Sequence, residues 1–140
     1  MLIQKIIKVK GEIYMSNRVS KNNYYLNIAL DVARRSTCLR RCYGAVIVNN
    51  DEIISTGYNG APRGEVNCVD CGACLRQEFK IESGKHYELC RSVHAEANAI
   101  ISASRRDMIG STLYLAGFNY NTNSELDVSY PCKMCQRSHG

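Results

Sequence analysis

Two stretches of this chain have residue types and spacing that can do chemistry: His94-Ala95-Glu96 and, later, Pro131-Cys132-Lys133-Met134-Cys135. Cys132 and Cys135 are three apart, so in the first turn of a helix their side chains are neighbours. Both sulfurs can then reach one zinc ion at about 2.3 Å. The unpaired N–H groups and dipole of a helix start favour the thiolate. Pro131 suits that start, where a missing N–H is harmless. An imidazole from a second helix start, His94, makes three protein ligands. Three ligands leave a fourth position open, the mark of a catalytic zinc rather than a structural one. Water there drops in pKa from about 15.7 towards about 7. Glu96, two residues from His94, can face that water without binding the metal and move its proton. A lone C-x-x-C also serves redox and structural sites. A lone His-Ala-Glu occurs in helices by chance. In this order, with one helix and one strand between them, they point to an open zinc site.

Helices and strands must place these residues. Ser20 is a good N-cap, and Tyr25, Ile28, Ala29, Val32 and Ala33 recur at helical spacing, predicting a helix near 21–36. Ala45 to Val48 is a short buried strand, Asn49-Asn50-Asp51 a turn, and Glu52 to Thr56 a second strand, together a hairpin. Gly57, Gly60, Pro62 and Gly64 mark a long loop, and residues 73–82 read as a weak helix. Ala95 to Arg105 is a strong helix, with Ala95, Ala99, Ile100 and Ala103 on one side. Ser111 to Ala116 is a third strand, residues 117–131 are loop-like, and Cys132 opens a further helix. Helices alternating with short strands indicate an α/β layered fold.

The chain has 140 residues, 45% hydrophobic and 22% charged, with two prolines. That is one ordinary globular domain, neither collagen-like nor disordered. No apolar run is long enough to span a membrane. The net charge of +5 suits an anionic ligand and falls short of a nucleic-acid-coating surface. The eight cysteines are 38, 42, 68, 71, 74, 90, 132 and 135. Lys5 and Lys8 interrupt the apolar start and spoil a signal-peptide core, which places the chain in the reducing cytoplasm. There, clustered cysteines are more often metal ligands than crosslinks. Cys42 reads as a buried apolar residue. Residues 1–14 differ from the rest and read two ways: a translated leader or disordered arm ahead of a natural start at Met15, or a genuine extra strand. Residues 15–140 are assigned to the single domain.

From about Tyr24 to Cys135 the sequence resembles the deoxycytidylate (dCMP) deaminases, including the late-competence-operon deaminases. The carriers are Ser36-Thr37-Cys38, Tyr43 to Val48, Thr56-Gly57-Tyr58-Asn59-Gly60-Ala61-Pro62-Arg63-Gly64, Glu88-Leu89-Cys90-Arg91, His94 to Ile100, and Pro131 to Cys135. His-x-Glu followed by Pro-Cys-x-x-Cys is also the general signature of zinc nucleobase deaminases. The resemblance implies a three-layer α/β/α cytidine-deaminase-like fold with a mixed sheet. It implies hydrolysis of dCMP to dUMP and ammonia, by attack of zinc-bound hydroxide at C4 with Glu96 as proton shuttle. It further implies a homo-oligomer, regulated by dCTP and dTTP with Mg2+, and no membrane or nucleic-acid partner. Transfer-RNA adenosine and guanine deaminases share the zinc motif but lack the insertion of residues 65–91, and they remain alternatives.

By the same resemblance Asn59 sits against the sugar and pyrimidine, and an amide that donates and accepts suits a sugar hydroxyl. The other reading of Asn59 is a cap of the turn before Gly60. Arg40, Arg41, Arg63, Arg91 and Lys133 are candidates for the substrate phosphate. Cys38 and Cys68 align with ligands of a second, structural zinc in some phage members. His86 and Cys90, four apart as on one helix face, would complete it, with Cys71 and Cys74 as rivals. Relatives continue past the equivalent of Gly140 with the rest of a helix and further strands. This chain therefore reads as a domain lacking its last helix and strands, with an open edge on a three-stranded sheet, and an inactive zinc-binding fragment is the alternative function.

Overall fold

The computed structural model describes residues 3–7, 18–82 and 84–126. Strand β1 (Ile3–Ile7) is followed by helix α1 (Lys21–Ala33), then by β2 (Arg41–Asn49) and β3 (Glu52–Tyr58). Two single-turn helices, α2 (Cys68–Cys71) and α3 (Leu75–Glu78), and a 3-10 turn (Tyr87–Leu89) lie between β3 and α4 (Ala95–Ser102). A short α5 (Arg105–Met108) leads into β4 (Ser111–Asn119). The sheet order is β1-β4-β2-β3. β2 runs antiparallel to both its neighbours, and β1 runs parallel to β4, so the sheet is mixed.

Alternation along β2 sorts the core into two layers. Ala45 and Ile47 join Leu113 and Leu115 of β4 against Ala95 and Ala99 of α4 and Met108 of α5. Val46, Val48 and Tyr114 face the other way, against Tyr25, Leu26 and Ala29 of α1. Helices cover both faces of the sheet, which is the three-layer arrangement expected, and the central strands are buried on both sides. Two glycines set how closely the helices approach. A Cβ on Gly44 would run into the backbone of Ala29 and Ala33, and one on Gly57 into that of Ala95 and Ala99.

The elements differ from the sequence expectations at instructive places. The helix placed at 21–36 ends at Ala33, where Arg34 closes it, and Ser20 caps its start as expected, with its oxygen 3.3 Å from the Asn23 amide. The hairpin turns at Asn50 and Asp51, both at positive φ, the arrangement that two-residue hairpin loops favour. The helix placed at 95–105 is two helices, because Ala103 is extended and Ser104 caps α5 through the Asp107 amide at 3.2 Å. The weak helix at 73–82 is the single turn α3, and β4 runs on to Asn119 into the stretch expected to be loop. Residues 3–7 form strand β1. β1 pairs along β4, so the sheet has four strands and β4 has no open edge at Ser111 to Tyr114. The helix expected to open at Cys132 lies outside the described residues.

Candidate active site

α4 places the first half of the zinc motif. His94 is its N-cap, with extended backbone, and Glu96 lies in its first turn, 6% exposed. A bridge between Gly60 and Val93 fixes the backbone just before it, with the Val93 amide 2.7 Å from the Gly60 carbonyl and the Gly60 amide 3.1 Å from the Val93 carbonyl. Within α4, Ser55 donates to the Ala99 carbonyl at 2.6 Å and Asn98 donates to the Tyr58 carbonyl at 2.8 Å, tying the helix to β3. Both His94 and Glu96 make further contacts. Cys132 and Cys135, the other expected ligands, lie outside the described residues, as does Lys133. Among the described residues no three His, Cys, Asp or Glu side chains stand together in position to hold a metal. One imidazole and two thiols are nevertheless a donor set that suits zinc, and the helix start beneath the imidazole keeps a carboxylate beside it.

Tyr43, quoted above only as part of a strand, belongs to this site. Burial pushes its phenol up; Arg41 pulls the other way by charge and a hydrogen bond, while the nearby Glu96 and Tyr87 add to the rise. Tyr43 packs against the cluster that contains Ala95 and Ala99 of α4, the helix whose first turn carries Glu96. Spacing could not reveal this, because β2 and α4 meet only in the folded sheet. Tyr87 is the second residue that spacing missed: its ring meets the His94 imidazole edge to face, centroids 5.8 Å apart and planes at 84°.

Asn59 is buried and makes three side-chain hydrogen bonds within the protein. Oδ1 accepts from the Tyr43 amide at 2.8 Å and from the Ser36 hydroxyl at 2.6 Å, and Nδ2 donates to the Arg41 carbonyl at 2.8 Å. These bonds lock the end of β3 to the start of β2 and to the turn after α1. Of the phosphate candidates, Arg41 leans on Tyr43, and Arg91 directs Nη1 at the Cys71 sulfur at 4.0 Å. Arg63 is exposed in the loop, and Arg40 is half-buried before β2.

The expected second zinc set, Cys38, Cys68, His86 and Cys90, is not assembled. The reason is local. His86 and Cys90 were to share a helix face, but a 3-10 turn lies between them and His86 takes a left-handed backbone. Its Nδ1 is 3.0 Å from the Glu88 carboxylate, which lies on the exposed side. The cysteines do gather: burial pushes the Cys68 thiol up first, and Cys38, Cys74, Cys90 and Cys71 add to it. The Val69 amide bonds the Thr37 carbonyl at 3.2 Å, which brings the Cys68 end of α2 beside Cys38. Cys42 is buried in β2, as expected of an apolar cysteine.

A mixed sheet between helix layers, with a histidine and a buried glutamate opening one helix, defines a deaminase-type scaffold. Residues 19–138 match the profile of the cytidine and deoxycytidylate deaminase zinc-binding region, and the chain belongs to that family. It is 39% identical over 98 residues to a deoxycytidylate deaminase of Schizosaccharomyces pombe, a match covering 70% of this chain and 30% of that one. It is 40% identical over 103 residues to the deoxycytidylate deaminase of Mycobacterium phage D29, covering 71% and 79%. A dCMP deaminase of cyanophage S-TIM5, crystallised with dCMP and dUMP, superposes with a TM-score of 0.53 at 25% identity over 70% of this chain and 67% of that chain. The chain thus spans about a third of the length of the yeast relative and most of the phage one.

Proposed function

We propose that this chain carries out hydrolytic deamination of dCMP to dUMP and ammonia, with Glu96 as the proton carrier. The observation that supports it is the buried Glu96 carboxyl in the first turn of α4, two residues after His94. His94, Cys132 and Cys135 would hold zinc, whose Lewis acidity supplies a nucleophilic water near neutral pH. Glu96 would take one proton from the attacking water and give it to the pyrimidine ring nitrogen, then take the second from the oxygen newly bonded to C4 and give it to the amine, which leaves as ammonia while C4 becomes a carbonyl. Burial keeps bulk water from competing for these protons. Asn59 serves the substrate through the wall it builds from Ser36, Arg41 and Tyr43, with one Nδ2 hydrogen left for a sugar oxygen. Relatives named for dCMP, and one crystallised with it, favour a deoxynucleotide monophosphate over a free base. Regulation by dCTP and dTTP with Mg2+, a homo-oligomer and a cytoplasmic location are carried by the family resemblance. No described helix is long and apolar enough to cross a membrane.

Glu96→Gln is the test. Glutamine keeps the shape and cannot carry protons, so zinc content stays at the wild-type value while ammonia release from dCMP falls by about 10²-fold or more. Wild-type turnover in the variant removes Glu96 from the mechanism. An absence of bound zinc in both proteins removes the metal.

A further inference from the structure

The insertion between β3 and α4 contains a buried cation that deamination does not use. Arg76 is 4% exposed. Its Nη1 donates to the carbonyls of Lys85 at 2.6 Å and His86 at 2.9 Å, and its Nη2 to the carbonyl of Glu82 at 2.9 Å. The guanidinium carbon lies 4.9 Å from the centroid of the Tyr87 ring, over its face. Tyr87 in turn meets the His94 imidazole nearly at right angles. Three side chains from α3, the 3-10 turn and the start of α4 therefore form one continuous stack.

The backbone of His94 is held on both sides, by the Gly60–Val93 bridge and by α4. These contacts act on the backbone, and the ring's own second torsion is intrinsically broad. A metal ligand needs its ring held within about 10–20° of the productive direction. A perpendicular aromatic neighbour supplies that restraint, and a cation over the opposite ring favours the geometry. Arg76 closes the loop that presents Tyr87 by gathering three carbonyls with one planar fork, which a lysine ammonium cannot match. We propose that Arg76 and Tyr87 are positioning residues for the His94 imidazole, and that the insertion is a clamp on the metal site. This rests on the reading of His94 as a zinc ligand.

The test compares Tyr87→Phe, which keeps the ring, with Tyr87→Leu, which keeps the bulk alone, and with Arg76→Lys. In metal-free protein, the ring-proton shifts of His94 report Tyr87 directly; three histidines in the chain make the assignment tractable. Tyr87→Leu moves the His94 signals, and Tyr87→Phe leaves them near the wild type. Zinc affinity, read by competition with a chromophoric chelator, falls about 10–100-fold in Tyr87→Leu and little in Tyr87→Phe. Arg76→Lys falls between them, and kcat drops with KM held. Unchanged His94 shifts and zinc affinity in Tyr87→Leu overturn the clamp. Equal losses in the Phe and Leu variants overturn it too, since the ring would then not be the restraint. If Tyr87→Leu loses its circular dichroism, Arg76→Lys decides by the same two measurements. If wild-type protein takes up no zinc, the ligand reading fails, while the metal-free shifts still decide whether Tyr87 restrains His94.

Discussion

At the hairpin end of the molecule, Tyr25 donates to the Asp51 carboxylate at 2.6 Å and its ring lies 5.0 Å from that of Tyr114. Lys21 reaches the same carboxylate at 2.8 Å, and α1 buries Leu26 and Ala29 on β2 beneath. Among the described residues of the 65–91 insertion, only Cys74 and Arg76 are buried, and Phe79, Val66 and Leu89 are well exposed. Its closure comes from one guanidinium on three carbonyls and from single helical turns. The first region is stabilised by apolar area, at roughly 1.5–3 kcal/mol for each large side chain fully buried. The second depends on hydrogen bonds whose net worth is about 1 kcal/mol each. A region held the first way unfolds with the whole domain. One held the second way can open by itself.

The largest effect we expect falls on the packed end. Gly44→Ala puts a Cβ against the backbone of α1, which cannot retreat without losing Tyr25, Leu26 and Ala29 from the core. The cost should reach about 3 kcal/mol, at the upper end for overpacking, and appear as a lower midpoint in urea for the whole domain. A variant as stable as the wild type would mean that α1 floats on the sheet.

Next comes Arg76→Met. Three carbonyls at 82, 85 and 86 lose their donors, at a local cost of about 1–3 kcal/mol. Amide exchange and limited proteolysis should rise tenfold or more within 76–90 while the global urea midpoint moves much less than in Gly44→Ala. Equal loss at both ends would show that the insertion is part of the core after all.

The smallest effect distinguishes the hydrogen bond at the hairpin end from the packing around it. The bond to Asp51 and then burial push the Tyr25 phenol up from 10.0 to about 12. The fold therefore holds that proton more tightly than the unfolded chain does. The stabilisation is complete below pH 10.0 and is lost as pH rises through about 12. Tyr25→Phe should cost about 1 kcal/mol at neutral pH and flatten that alkaline loss. Tyr43 and Tyr114, raised chiefly by burial, contribute their own alkaline limb in both proteins, so the difference between variant and wild type is the quantity to read in urea titrations.

What could be read from the sequence follows the same division. Helix α1, the β2–β3 hairpin, α4 and β4 were legible because apolar periodicity and cap or turn residues are local signals. The placement of His94 and Glu96 at the start of α4 was legible for the same reason, because a helix start is a local signal. The insertion was not, because Val66, Val69, Phe79, Tyr87 and Leu89 are exposed and its order comes from an arginine, a residue whose usual reading is a solvated charge.

The sequence alone determined the chemistry on offer: an imidazole and a carboxylate opening one helix, two thiols three apart, and a family pattern around them. Tertiary structure alone decided their company. Tyr43 comes to the Ala95–Ala99 side of α4, and Tyr87 to His94, because β2, the insertion and α4 meet only in the folded protein. Residues 3–7 became a strand because β4 offered an unpaired row of backbone groups. Asn59 was turned inward, onto Ser36, Arg41 and Tyr43, by donors and acceptors up to 23 residues away. His86 was turned outward by one left-handed residue where spacing alone suggested a helix. Composition and spacing record which groups a chain has; which of them meet depends on contacts between segments distant in sequence, and those form only when the sheet and its two helical layers close.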